Sequence, residues 1–463
     1  MDFVAIIIFL ILYYIRPQEW IGFVTELKPV KWSIVFALLT MVFRERGFHP
    51  RDLVRTPHDW LMLAYFAWIV LSNPAIVDTF NNNYNLFVFY IVTVQALSSI
   101  RRLQAFLGWW TLMILVVAAL AVAAPLGFDL VGSNDLTEWR MKGRLVFNTS
   151  IFNNPNALGH SIYPAVFFLY FLLFWKRPVF LKIAAAAIVL LPLWCVYLTV
   201  SKGAFIGIFV TTIAALTFGR PKVVQILVLV GALTFGWTVL WSMPRMSELQ
   251  KSSTDQAIQG RIAAFKYGLE TLKTDFNGIG IHQFVAGVER AYGFKKAAHS
   301  SYVQVGGELG WPGLILFVSL LYACARTLFN AKTTDVTEER VRRALFVLLV
   351  SYSISSWMVN WPWRTTFFLM VGAVAAFHRL MLDKQLAAAA TPAEAAPGPA
   401  AMSPAPPPPL TADPKAQPFL SADHTEAEPV GLRWNKLGWV DVALIAGLTW
   451  ATVRFWQYLI TRM

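Results

Sequence analysis

Apolar runs long enough to cross a bilayer alternate with short polar breaks along most of this chain. A span needs roughly 20 apolar residues, fewer where flanking side chains snorkel to the interface. Runs at 2–15, 30–43, 60–74, 84–97, 104–124, 157–175, 181–200, 203–218, 222–242, 312–330, 344–361 and 364–382 approach that length, several of them short. They predict an all-α, polytopic integral membrane protein of about 12 transmembrane helices. One interval breaks the rhythm. Met243 to Pro312 is polar and forms a large loop between the ninth and tenth runs. Within it Ile258, Ile262, Phe265, Leu269 and Leu272 recur at helical spacing, which predicts an amphipathic helix lying on the body of the protein.

Basic residues orient the set, because cytoplasmic loops retain Lys and Arg. Arg44/Arg46/Arg51/Arg55, Arg101/Arg102, Lys176/Arg177/Lys182, Arg220/Lys222 and Lys332/Arg340/Arg342/Arg343 fall in alternate loops on one side. Asn73 to Asn83 on the other side has no basic residue, and Trp361-Pro362-Trp363-Arg364 has one. The loop carrying Arg140, Lys142 and Arg144 is an exception. Both ends of the body are therefore expected in the cytoplasm and the 243–312 loop outside. The membrane body is assigned to 1–382 and an Ala/Pro-rich cytoplasmic linker, expected to be disordered, to 383–432. The segment 433–463 holds an apolar stretch from Trp439 to Ile460 that fits either a thirteenth span or an interfacial helix. The start, Met1-Asp2-Phe3, lacks the basic region of a secretory signal, so the first run is read as a retained span.

Composition agrees. Hydrophobic residues make up 57% and charged residues 14% of the 463 positions, too apolar for a soluble chain of this length. The net charge of +13 raises the question of nucleic acid, but the basic residues lie in clusters between apolar runs, which membrane orientation explains. Cys195 and Cys324 sit within apolar segments and read as packing residues. No repeat is evident and few ionisable residues fall inside the spans, which weighs against a coupled transporter.

Candidate chemistry collects in and around the loop. Arg261, His282 and His299 lie within it. Arg261 flanks the apolar stripe of the loop helix, a place where an arginine can bind an anion or simply snorkel. His299 precedes Ser300 and Ser301, and Ser301 with Gln304 fits a capping box for a short helix ending near Gly310 and Pro312. A helix N-terminus favours neutral imidazole, which can act as a base; a loop histidine that only hydrogen-bonds its neighbours is the plainer alternative. Asn153-Asn154-Pro155-Asn156 makes a turn into the sixth run, where Asn156 is a candidate helix cap. Lys202 follows a very short connection between the seventh and eighth runs and meets either lipid phosphate or a ligand phosphate, while Gly203 permits close helix approach.

These segments, in this order, resemble the O-antigen ligase and polymerase superfamily of bacterial inner-membrane proteins. The resemblance rests on Asn153-Asn154-Pro155-Asn156, Ser201-Lys202-Gly203-Ala204, Gly260-Arg261, Asp275 through Gly278-Ile279-Gly280 with Phe284, and His299-Ser300-Ser301-Tyr302 with Glu308-Leu309-Gly310-Trp311-Pro312-Gly313. It runs from about the sixth span to the tenth, and no single motif is as specific as their order. Arg16-Pro17-Gln18-Glu19-Trp20 also looks like a branch described as exosortase-associated O-glycosylation ligases. The resemblance implies a glycosyltransferase that needs no metal or other cofactor. Its donor would be a glycan on undecaprenyl diphosphate and its acceptor lipid A-core, a protein or another glycan; membrane lipids would surround it and nucleic acid would play no part. It implies His299 as the base and Arg261 and Lys202 on the diphosphate, with Asn156, Tyr302 and Glu308 in support. Position 202 departs from the family's usual arginine, and lysine loses the planar fork that grips phosphate. A polymerase of the same superfamily and a non-enzymatic lipid or polysaccharide transporter are the alternatives.

Overall fold

A computed structural model describes residues 2–43, 53–232, 234, 256–390 and 435–462, and the regular structure among them is helical. The helices over the first nine apolar runs are α1 (Asp2–Tyr14), α2 (Pro29–Val42), α3 (Pro57–Leu71), α4 (Ile76–Ala96), α5 (Ile100–Ala123), α6 (Pro155–Phe174), α7 (Val179–Thr199), α8 (Lys202–Thr217) and α9 (Lys222–Gly231). The loop contributes α10 (Gln256–Thr274) and α11 (Phe284–Tyr292), and α12 (Ser301–Asn330), α13 (Val336–Ser355) and α14 (Thr365–Ala390) follow. A last helix, α15, covers Trp439–Arg462. The end of the ninth run, Met243 to Asp255 of the loop, residues 391–432 of the linker, and Arg44, Arg46 and Arg51 lie outside the described residues.

The expected twelve spans are met in part. Among the described residues five helices are long and apolar enough to cross a membrane, Ile100–Leu126, α6, α7, α12 and α14; α1, Pro29–Met41, α8 and α9 are shorter apolar helices. Polar residues lower the apolarity of others, such as Asn81, Asn82 and Asn83 in α4 and Glu338 through Arg343 at the start of α13. The protein is nonetheless a multi-pass membrane protein by its helices and their apolarity.

Two ends of the bundle are fixed by α3 running antiparallel to α12. Trp68 Nε1 donates to the Leu309 carbonyl at 2.8 Å, and His58 Nε2 lies 3.4 Å from Thr327 Oγ1 further along. One end therefore carries His299 and the other Arg326. At the Arg326 end a buried polar network includes two ionisable residues of the 364–382 run, His378 and Arg379. Asp59 closes the capping box of α3 with Thr56, accepts from Tyr90 Oη at 2.7 Å and pairs with Arg379 Nη2 at 2.9 Å. His378 joins Thr327 Oγ1 at 2.8 Å to Asn435 Oδ1 at 2.8 Å.

The span beginning at Ser301 is broken at Gly310, where φ is 62° and ψ −158°. Pro312 has no N–H to give the Glu308 carbonyl four residues back, so a helix cannot run through unaided. The loop supplies what is missing. Gly280 N donates to the Glu308 carbonyl at 2.9 Å, Ile279 N to the Gly307 carbonyl at 3.1 Å, and Trp311 N turns to the Phe276 carbonyl at 3.0 Å. A Cβ at Gly310 would stand 2.0 Å from the Phe276 oxygen, and one at Gly278 2.4 Å from the Glu308 oxygen. Both glycines also have positive φ, which other residues rarely adopt. Gly278-Ile279-Gly280 and Leu309-Gly310-Trp311-Pro312-Gly313 are thus two halves of one backbone lock.

Helix α15 packs along α12 and against α10. It falls short of the length-and-apolarity standard that the five long helices meet. Its two ends reach opposite ends of the bundle: Asp441 pairs with Arg326 at 2.7 Å, and Trp456 Nε1 donates to the Phe265 carbonyl of α10 at 3.0 Å.

Candidate functional site

The first turn of α6 is capped by Asn154, whose side chain accepts from Asn156 N at 2.9 Å, with Pro155 preset for the helix. Asn156 is therefore not the cap that the sequence suggests. Its Oδ1 accepts from Arg144 Nη2 at 2.8 Å and from Ser201 Oγ at 3.0 Å. Arg144 Nε also donates to the Thr199 carbonyl at 3.0 Å. The exceptional basic loop thus fastens the start of α6 to the α7–α8 junction.

At that junction Val200 takes a left-handed conformation, φ 46°, and Ser201 caps α8. Lys202 is the first residue of α8 and is partly buried. Gly203 then brings α8 against α6: a Cβ there would meet His160 Nε2 at 2.7 Å and Met358 at 3.2 Å. Gly159 does the same from the other side, 2.9 Å from Thr199 Oγ1.

Sequence reasoning misses His160. It is 1% exposed, its Nδ1 lies 2.8 Å from Ser355 Oγ, and its buried Nε2 meets no hydrogen-bond partner among the described residues. A small cavity of about 20 Å³ adjoins it, lined also by Tyr14, Trp110, Tyr352 and Trp361. That is room for about one water. The signal that could have found it is its position one helical turn beyond Asn156, on the same face of α6.

His299 stands at the start of α12 in a left-handed conformation, φ 50°. Ser300, not Ser301, is the N-cap; its side chain accepts from Val303 N. Ser301 has another task, its Oγ donating to the Val359 carbonyl at 3.0 Å and accepting from Trp361 N at 2.9 Å. These bonds pin the His299 turn to the connection between α13 and α14. The short helix expected up to Gly310 is the first half of α12.

Electrostatics join the loop helix to this turn. Burial, then the Arg261 charge, then Lys296 push the His299 pKa down to about 3, so the imidazole is neutral at physiological pH. The Arg261 charge also reaches His160. Lys296 lies over the first turns of α10, its Nζ 3.1 Å from where a Cβ on Gly260 would sit. Arg261, Lys296, His299 and His160 therefore gather at one end of the bundle, with His160 against Gly203 bringing in the turn that carries Lys202.

Tyr302 and Glu308 serve the scaffold. Tyr302 Oη donates to the Ser353 carbonyl at 3.3 Å and its ring stacks on Trp357 with centroids 4.5 Å apart. The buried Glu308 carboxylate accepts from Phe284 N at 3.1 Å, Trp363 Nε1 at 2.8 Å and Gln304 Nε2 at 3.3 Å. His282 lies on that side, 6.4 Å from the Trp363 ring, and burial lowers its pKa. The three tie the loop to α12 and α13.

A neutral imidazole pressed by cations can accept a proton beside a bound anion. Helices of membrane-spanning character with such a constellation at one end define a multi-pass membrane protein with basic and imidazole side chains gathered at one end of its bundle. Residues 185–318 match a family model described as O-Antigen ligase, so this segment is similar to the O-antigen ligase superfamily. The match includes Lys202, Arg261, His299 and Glu308 and leaves Arg144, Asn156 and His160 outside. No curated protein matches the chain significantly.

Proposed function

We propose that this protein is a ligase that moves a glycan from undecaprenyl diphosphate to a hydroxyl of lipid A-core or of a protein. The reaction takes place at the periplasmic face of a bacterial inner membrane, requires no metal and inverts the anomeric centre. The observation that carries this reading is the buried His299 imidazole held neutral beside Arg261 and Lys296. His299 takes the proton of the acceptor hydroxyl as its oxygen attacks the anomeric carbon. The bond from that carbon to the diphosphate oxygen breaks, and its electron pair leaves with the diphosphate. Arg261 and Lys202 hold the charge that develops there. Asn156, anchored by Arg144 and Ser201, keeps the Lys202 turn in place.

Arg261, whose charge adds to burial in depressing His299, is also a cation that the diphosphate would neutralise. Donor binding therefore raises the basicity of the imidazole, bringing the base into use once the leaving group is seated. The polymerase reading uses the same donor and site and differs in acceptor.

Purified protein in lipid nanodiscs, given lipid-linked glycan and separate acceptors, tests the assignment. Glycan on lipid A-core or protein supports the ligase, whereas longer lipid-linked chains would make it a polymerase. Absence of any covalent product with either acceptor would reject glycosyl transfer.

A further inference from the structure

The C-terminal helix has no part in the chemistry above, yet its far end touches the loop helix that carries Arg261. Trp456 is fully buried, and its Nε1 donates to the Phe265 carbonyl at 3.0 Å. Its indole fills a notch made by two glycines on different helices. A Cβ on Gly268 of α10 would meet the ring at 2.9 Å, and one on Gly306 of α12 would meet it at 3.0 Å. Phe455 adds an edge contact to Trp357, 4.9 Å between centroids. The other end of α15 is anchored by Asp441, which pairs with Arg326 at 2.7 Å and accepts from Tyr322 Oη at 2.6 Å.

Position along α10 gives this contact its meaning. Arg261, Phe265, Gly268 and Leu272 fall on one helical face, and Phe265 is one turn, about 6 Å, from Arg261. Gly306 lies on the first half of α12, whose start is the His299 turn. Trp456 is thus wedged where the helix bearing Arg261 meets the helix led by His299. An indole of this size, with its one donor satisfied, fixes both spacing and rotation of the pair.

We infer that Trp456 is a positioning residue for the transfer reaction: α15 is a strut, braced at Arg326, that sets Arg261 of the loop helix at its working distance from His299. The inference rests on the proposed roles of Arg261 and His299. Removal of the wedge lets α10 shift, which weakens the hold on the donor and relieves the repulsion that Arg261 exerts on the imidazole.

The test compares full-length wild type with Trp456→Ala, Trp456→Phe, Gly306→Ala and Arg261→Ala, each purified and assayed across pH with lipid-linked glycan. Trp456→Phe keeps a ring and loses the bond to Phe265; it should lower kcat/KM for donor by roughly fivefold. Trp456→Ala should lower it by roughly tenfold or more, and adding Arg261→Ala should cost little further, since both act through one contact. The acid limb of kcat/KM should move to higher pH in Trp456→Ala, in the direction taken by Arg261→Ala. A purely structural tryptophan would change yield or melting temperature without moving that limb. If Trp456→Ala does not insert, the same limb is read in Trp456→Phe and in Gly306→Ala, which crowds the indole and leaves it in place. Arg261→Ala moving the limb while the notch variants leave it fixed would overturn the strut and spare the site. An unmoved limb in Arg261→Ala as well would overturn both.

Discussion

The two ends of the bundle set positive charge against different neighbours. At the Arg326 end, cations meet carboxylates: Arg379 with Asp59, Arg326 with Asp441, Arg342 and Arg343 with Glu339, Lys384 with Glu338. At the His299 end, Arg261 and Lys296 crowd an imidazole, and Arg144 is held by the neutral oxygens of Asn156 and Thr199. A cation matched by a carboxylate inside the protein has little field left for a ligand. Arg261 and Lys296 stand close enough to His299 for their charges to raise the cost of protonating its ring. On the proposed function, the contrast separates residues that hold the fold from residues that would meet a substrate.

The largest effect expected lies at the second end. His299→Ala should insert and bind donor yet transfer glycan at least roughly a hundredfold more slowly, because general-base catalysis contributes about that much or more. In wild type the pH dependence should carry the lowered pKa. Protonation removes the base, so kcat/KM should persist well below pH 6.5 and fall toward about pH 3, and bound diphosphate should place the kcat limb higher. Near-normal transfer by His299→Ala across this range would remove it as the base.

Next comes the buried pair. Asp59→Ala strands the Arg379 charge and should destabilise the protein by about 3–5 kcal/mol, read from thermal unfolding in detergent, with kcat per folded molecule unchanged. A loss of kcat at unchanged stability would erase the distinction between the ends. Arg261→Ala should do the reverse: about 1.5–3 kcal/mol of transition-state binding lost, a roughly ten- to hundredfold drop in kcat/KM, with little change in melting. Lys202 sharpens the site further. Lys202→Arg should keep or raise activity by restoring the bidentate fork, and Lys202→Ala should lose it; equal turnover in all three would assign Lys202 to lipid headgroups. The smallest effect belongs to Asp383, which pairs with Arg55 in a partly exposed setting. Asp383→Ala should change stability by no more than about 1 kcal/mol.

Periodicity makes the helices legible, including the loop helix over 256–274, because an apolar stripe must face something. It cannot tell which apolar runs cross a membrane, since α1 and α8 are short and α4 is diluted by asparagines. His299 and Arg261 are legible as motif residues, but their meeting depends on α10 folding back onto α12, which no local pattern specifies. His160 is invisible for a related reason: it lies in an apolar run, and only Gly203 and Ser355 from distant helices give it a role. The loop that breaks the charge rule is the most instructive exception. Arg144 sits there because Asn156 and the Thr199 carbonyl need it, so a departure from membrane statistics marks a local structural demand. Capping misses by one or two residues at both motifs, Asn154 for Asn156 and Ser300 for Ser301, because side chains with the right chemistry are adjacent and the tertiary partners choose between them.

The bonds that pin the His299 turn also set a clock. The Ser300 hydroxyl finds its acceptor 56 residues later in the chain, and Ser301 its own 58 residues later. At a synthesis rate of roughly 5–20 residues per second the turn waits about 3–12 s before its support exists. During that wait the loop and the first half of α12 can already lock through Gly278 and Gly310. The Gly278–Gly310 lock can thus form before the His299 turn is held, and a pause in translation anywhere between 301 and 356 would prolong that half-built state.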